Sequence, residues 1–521
     1  MSPSTRRVVR AVLIASLCAF LFGFDTGTIG SITTMASFEA YFGELDEVVR
    51  GLLVAIILVP SALSGIFAGQ IADKISRKYT IALGSFIFAI GSAISCGCPR
   101  QVAVLFVARC IAGIGEGLFL GTLNTYIAEL SPVHIRGKMM LLCQLYISSA
   151  IAIGFFCCYG SVMIPSSLSW RLPFAISTAV SLFVAATAPL LPYSPRFLVL
   201  AGRRAEAERV LDLLAGDSTE AERRELLAAP PSIIGSKRAA VVDIWRKDVR
   251  RRTFLGVFLN CFQQLSGIDF VLFYAPLIFT QAGLDPSTAS FIASGVTGLV
   301  LVAVTIIGST YIDKIGRRPL FIVGGSVVAA SQLLIGIMYA SGAARGGGRW
   351  FVIVLIEVLA ASFSASWALV TRLYASEIQP SRTRAAAASF SQAANQTTNF
   401  IVAMTGPAFL RTNSGPYFTY GALSALAVVV AWVAMPEVIG QSLEDIDAKF
   451  SQSSSVAVVG PPTWPNVFKR AAERNQDLRR RRSSRGQSQT LPGETRAEFR
   501  AHVEMNRLGT QPEIDEEAVK D

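Results

Sequence analysis

Two histidines in 521 residues, His134 and His502, leave almost nothing for histidine-based catalysis or metal binding. The eight cysteines fall within or at the ends of apolar runs without metal-ligand spacing, so they are expected to be small buried residues. A phosphate-binding loop is missing too: "GIGEG" at residues 113–117 lies inside an apolar run, where close helix packing accounts for it. Charge is scarce, at 16% Asp, Glu, Lys and Arg, where soluble domains carry about 25%. These absences argue against an enzyme, against any bound cofactor or metal and against a soluble globular domain.

What the chain has instead is 52% hydrophobic residues and a positive mean hydropathy of +0.49. About 20 apolar residues cross a hydrocarbon layer of about 30 Å. Twelve such runs are expected, at 8–31, 48–70, 79–98, 101–126, 138–161, 172–191, 253–282, 287–311, 319–341, 350–374, 384–410 and 416–435. The first run is long and contains Asp25, so it is expected to remain as a helix and not to be a cleaved signal. Arg and Lys crowd residues 196–252, and Glu39, Glu44, Asp46 and Glu47 follow the first run. The positive-inside tendency then puts both termini in the cytoplasm. A net charge of +11 on a chain tethered by twelve spans points away from nucleic acid and towards the bilayer.

The two halves share a grammar. "DKISRK" begins at Asp73 and "DKIGRR" at Asp313; "ELSPVHIR" begins at Glu129 and "EIQPSRTR" at Glu377. Glu129, Pro132 and Arg136 keep the spacing of Glu377, Pro380 and Arg384, which interfacial snorkelling alone does not explain. Asp73, Arg77, Glu129, Arg136 and Arg196 in the first half, with Asp313, Arg317, Arg318, Glu377 and Arg384 in the second, form the expected cytoplasmic gate network. The resulting fold class is an all-α membrane protein of twelve helices in two pseudo-symmetric six-helix bundles. Its expected divisions are an N-terminus at 1–7, bundles at 8–191 and 253–436, a linker with short helices at 192–252, and a tail at 437–521. The tail is polar and Ser/Arg/Glu-rich after 451, hence expected to be mostly disordered; "LRRRRSSRG" within it reads either as a solvated basic stretch or as one that lies on anionic lipid, with phosphorylation at Ser483 or Ser484 weakening the second.

From about residue 20 to 450 the chain resembles the sugar porters of the major facilitator superfamily, especially fungal members. The resemblance rests on "RCIAGIGEG", "YIAELSPVHIRG", "WRLPFAI", "SPRFLVLAGR", "QQLSGID", "DKIGRRP" and "PEVIGQSLEDID", in that order. It implies alternating access: two bundles rocking about a central solute site, driven by a proton gradient, in the plasma membrane. By the same resemblance the solute contacts are Gln144, Ile147, Ile151, Gln263, Gln264, Asn395 and Asn399, and Asp25 with Arg109 is the proton-coupling pair. A permanent ion pair that only fastens two helices is the alternative for Asp25 and Arg109.

The chain also departs from the pattern. Asp269 stands where the family has Asn after "SGI", Ala368, Leu369 and Arg372 where it has Gly-Pro and Trp, and Gln396 where it has Trp after Asn395. Ser364 and Leu301 replace two further polar positions. A carboxylate in mid-membrane costs at least about 2.5 kcal/mol, so Asp269 is expected to face a cavity or a partner. Two readings stay open: Asp269 and Arg372 pair and the substrate is a neutral sugar or polyol, or Arg372 is free to receive an acidic solute such as a uronate or a quinate-like acid. An exporter of a specialised metabolite and a non-transporting nutrient sensor are the remaining alternatives.

Overall fold

The structure is a computed structural model and describes residues 3–214, 243–246, 249–285, 289–380 and 383–438. The tail with "LRRRRSSRG" and most of the linker lie outside the described residues, as do the side chains of Arg136, Asp313 and Arg384.

The first half runs α1 (Pro3–Ala15), α2 (Leu17–Ile32), α3 (Ala36–Phe42), α4 (Glu47–Ala55), α5 (Leu58–Ile75), α6 (Arg77–Cys96), α7 (Val102–Leu130), α8 (Val133–Val162) and α9 (Leu168–Thr187). Two short helices, α10 (Pro195–Leu200) and α11 (Arg204–Leu214), begin the linker. The second half runs α12 (Arg250–Gln264), α13 (Ile268–Phe273), α14 (Ala275–Gln281), α15 (Ala289–Ile315), α16 (Arg317–Ala340), α17 (Gly348–Ala365), α18 (Trp367–Glu377), α19 (Arg384–Leu410) and α20 (Gly415–Ala434). Consecutive pieces such as α1–α2, α4–α5 and α17–α18 each make one crossing.

Eleven helices among the described residues are long and apolar enough to cross a membrane. The span expected at 384–410 is the 27-residue α19, which carries Gln392, Asn395, Gln396 and Asn399 and is more polar than those eleven. It packs against α4, α5 and α12 inside the protein, where its amides meet partners and not lipid. Exposed Leu, Ile, Phe and Val side chains on α5, α6, α9, α15, α16 and α17 instead form the lipid-facing surface.

Helix α12 stops at Gln264 because Gly267 takes a left-handed conformation (φ 72°) that a side chain would resist, and a Cβ there would press on the Tyr420 ring. The chain restarts as α13, with Asp269 in its first turn. The broken helix thus brings "QQLSGID" to the middle of the molecule with both glutamines and the aspartate buried.

The internal repeat is visible in the backbone. Gly316, just before α16, has φ 102° and ψ 157°; Ser76, 240 positions earlier and just before α6, has φ 88° and ψ 150°. Only glycine adopts this region readily, and the Ser76 hydroxyl is buried without a hydrogen-bond partner. Ser76→Gly is expected to raise the thermal midpoint in detergent, recovering on the order of 1 kcal/mol of backbone strain; an unchanged or lower midpoint would show that the strain is compensated locally.

Candidate functional site

At the start of the path, in α2, Asp25 accepts two parallel hydrogen bonds from Arg109 of α7, at 2.9 and 3.0 Å. The second guanidinium nitrogen also donates to the Val54 carbonyl, at 3.1 Å. Arg109 is 2% exposed and the Asp25 side chain 13%, so the carboxylate is the member of the pair with access to solvent. Bidentate geometry is what makes a charge pair tolerable at this depth.

Beside this pair lies a cavity of about 60 Å³ between the bundles. Phe22 and Thr26 of α2 and Gln144, Ile147, Ser148 and Ile151 of α8 line it from the first half. The second half contributes Gln263, Gln264, Ile268, Asp269, Leu272, Leu301, Phe363, Ser364, Ala368 and Arg372.

With Asp269, Arg372 and Gln396, the departures at the solute face, the expected solute contacts number ten; seven of them share this cavity, and Asn395, Gln396 and Asn399 do not line it. Asn395 acts from behind. Its amide nitrogen donates to the Asn260 carbonyl at 2.8 Å and to Gln263 Oε1 at 3.1 Å, and its oxygen accepts from Gln264 Nε2 at 3.0 Å. One side chain thus orients both cavity glutamines. Gln396 turns away, towards Ser61 and Glu116 of the other bundle. Asn399 is buried beside Asp269, and neither atom of its amide group makes a hydrogen bond.

Asp269 and Arg372 face the same cavity and feel each other's charge, yet no ion pair joins them among the described residues. Gln264 Oε1 and Arg372 Nε are buried without hydrogen-bond partners. Unsatisfied buried donors and acceptors are rare in folded proteins, and here they gather around one space. Thr305 Oγ1 lies 2.8 Å from Ser364 Oγ and 3.0 Å from Ser148 Oγ, a short hydroxyl chain that crosses from one bundle to the other.

The gate residues sort by half. Arg77 binds Asp73 at 3.0 Å and Glu129 at 2.9 Å, and Ser194 donates to Glu129 at 2.5 Å. Arg317 binds Glu377 at 3.0 Å, repeating the Arg77–Glu129 contact, and Glu437 accepts from the backbone N–H groups of Arg317 and Arg318. Arg196 is exposed. Glu437 was not expected in this role, although "PEVIGQS" carries it; its counterpart in "PYSPRF" is Tyr193, whose ring lies 3.8 Å from Lys78 Nζ.

Each of these clamps lies within a bundle. Contact between bundles is made on the opposite face, where Glu47 binds Arg411 at 2.6 Å. Gly30 of α2 there lies against the Phe273 carbonyl, and Gly51 of α4 against that of Met404, so closely that a Cβ at either position would collide. Asn395→Leu is expected to raise KM about tenfold for the solute the cavity takes, with kcat within about twofold, since it frees both glutamines at roughly 1 kcal/mol per hydrogen bond. An unchanged KM would separate Asn395 from solute binding.

The family model described as "Sugar (and other) transporter" matches residues 11–450. The chain is 31% identical over 474 residues to probable polyol transporter 6 of Arabidopsis thaliana, covering 86% of this chain and 95% of that one. It is 29% identical over 463 residues to the arabinose-proton symporter of Escherichia coli (strain K12), covering 88% and 96%. Among solved structures, the proton:xylose symporter XylE bound to 6-bromo-6-deoxy-D-glucose superposes with a TM-score of 0.71 at 25% identity, covering 86% of this chain and all of that one. The inward open conformation of XylE from E. coli gives 0.69 at 26% identity, covering 85% and 99%. A match over this length, on a fold this similar, places the chain in the sugar (and other) transporter family of the major facilitator superfamily: it is a multi-pass membrane transporter and not an enzyme.

Proposed function

We propose that this transporter is a proton-coupled symporter of a sugar or polyol, worked by alternating access. The cavity carries the reading: it lies between the bundles and presents unsatisfied amide and guanidinium groups, the chemistry that takes hydroxyls. Relatives named as an arabinose-proton symporter and a polyol transporter agree with it. Asp25 is the proton carrier in this scheme. Protonation neutralises the carboxylate, loosens its bidentate hold on Arg109, and lets α2 move relative to α7.

The same proposal includes orientation. The Arg/Lys-rich linker and the motif loops face the cytosol of a plasma membrane, with both termini inside. The face closed by Gly30, Gly51 and the Glu47–Arg411 pair is then external, and the structure stands on the inward-facing side of the cycle.

In reconstituted vesicles, uptake against a gradient is expected to collapse with a protonophore and in Asp25→Asn, while solute exchange without a proton gradient persists. Concentrative uptake indifferent to both treatments would remove proton coupling.

One observation favours a second reading, an acidic solute such as a uronate or a quinate-like acid. Arg372 faces the cavity without an ion pair to Asp269, so its fork is available to a carboxylate. If so, galacturonate or quinate competes with the transported solute in the wild type, and Arg372→Gln weakens that competition at least about tenfold, the loss of roughly 1.5 kcal/mol or more expected for a hydrogen bond to a charged group. Competition by neutral hexoses alone returns the site to the first reading.

A further inference from the structure

Glu116 is 1% exposed in the middle of α7, and the transport scheme above gives it nothing to do. Its glycine-flanked position in "GIGEG" reads as helix packing, and Gly113 and Gly117 do pack on α5. The carboxylate between them is another matter. Glu116 Oε1 accepts from Ser61 Oγ of α5 at 3.1 Å and from Gln396 Nε2 of α19 at 3.3 Å. Gln396 Nε2 is also 3.2 Å from Ser61 Oγ. Ser61 and Glu116 belong to the first bundle and Gln396 to the second, so this trio is a polar contact across the interface on which the bundles open and close.

The charged groups that face Glu116 are Asp25 on α2 and Arg109, two turns away on its own helix. Arg109 does not serve as its counter-ion: both terminal guanidinium nitrogens are already engaged by Asp25 and the Val54 carbonyl. From α5 and α19 the trio receives only neutral groups. Among the described residues Glu116 forms no ion pair. An ionised carboxylate buried this way, with two neutral donors, bears a large desolvation cost. A proton on Glu116 removes that cost: carried on Oε2, it leaves Oε1 as the carbonyl oxygen that accepts from both Ser61 and Gln396.

We propose that Glu116 is a second proton-binding carboxylate, and that its proton completes the Ser61–Glu116–Gln396 latch when the bundles close on the Glu47 face. Opening that face draws Gln396 away and lets water reach the carboxyl, which then gives up its proton without penalty. Closure takes up a proton; release of the proton favours opening. By linkage, the ratio of closed to open protein rises as pH falls, about tenfold for each unit by which closure changes the group's affinity for protons. This goes beyond the proton at Asp25, and it is independent of which solute is carried.

The test follows closure directly, without solute, as the distance between probes attached at Glu44 and Thr412, exposed positions on opposite sides of the closing face. In the full-length wild-type protein the closed fraction is expected to rise as pH is lowered from 8.5 to 5.5. Glu116→Gln, which holds the latch without a titrating group, should stay mostly closed and lose most of this dependence. Asp25→Asn should keep the Glu116 component, and the double variant should lose it. Glu116→Leu serves as a second non-titrating variant should Glu116→Gln fold poorly: it should lose the same Glu116 component of the titration. A Glu116→Gln protein that titrates like the wild type, or a pH response that disappears with Asp25→Asn alone, overturns the proposal. The second outcome leaves proton coupling through Asp25 standing.

Discussion

A charge in the membrane interior has to be answered by another charge, by several hydrogen bonds or by a water-filled space, and the organisation of this protein follows from how each buried charge is answered. Arg109 gives the strictest solution. Two of its nitrogens clasp Asp25 and one of them also holds the Val54 carbonyl, so α2, α4 and α7 are tied at one point. Any event that neutralises Asp25 releases that tie at the depth of the cavity. In the proposed scheme the coupling at Asp25 is therefore a consequence of the structural solution.

The other buried charges are answered less completely, and the function is concentrated there. Asp269 and Arg372 are left facing a cavity without touching. Their fields, together with the orphan Gln264 Oε1, make a surface that is satisfied better by a hydroxylated or charged solute than by itself. A fully paired site would be more stable and would bind nothing.

Much of this was legible in the sequence because it is written in local pattern. Apolar runs about 20 residues long marked twelve crossings, eleven of which are helices long and apolar enough to cross a membrane, and the repeated "DK-I-x-R" and "E-x-x-P-x-x-x-R" spacings marked Arg77 and Arg317, which pair with Glu129 and Glu377. The broken seventh span was likewise marked by "QQLSGID". What escaped depends on which way a side chain turns once helices pack. Asn395 and Gln396 are neighbours in sequence, yet one turns inward to hold Gln263 and Gln264 and the other crosses to Glu116. Residue type suggested solute contact for both. Glu116 itself was hidden by its glycines, which are a packing signal and carry no hint that a carboxylate between them meets the opposite bundle. The role of Glu437 was equally unmarked, since Tyr193 stands at the matching place in the first half and contacts Lys78.

The distribution of polar contacts explains why such a molecule rocks and does not deform. Within each bundle an arginine at the start of one helix is clamped to a glutamate at the end of another: Arg77 of α6 to Glu129 of α7, and Arg317 of α16 to Glu377 of α18. These clamps are charge-assisted and mostly buried, so they resist internal strain. Among the described residues the polar contacts between the bundles are of a different kind: the Ser148–Thr305 hydroxyl pair, the Gln396 bonds to Ser61 and Glu116, and the partly exposed Glu47–Arg411 pair, the last of which is worth at most about 1 kcal/mol. The rest of the closed face is close backbone approach at Gly30 and Gly51, held by dispersion that separation forfeits but that leaves no buried charge stranded. A stiff interior on each side of a weakly bonded interface concentrates motion at that interface. Neutral hydrogen bonds there can be exchanged for water on opening, whereas a buried ion pair would have to be rebuilt in every cycle, so keeping the tight charge pairs inside the bundles is what leaves the interface free to alternate.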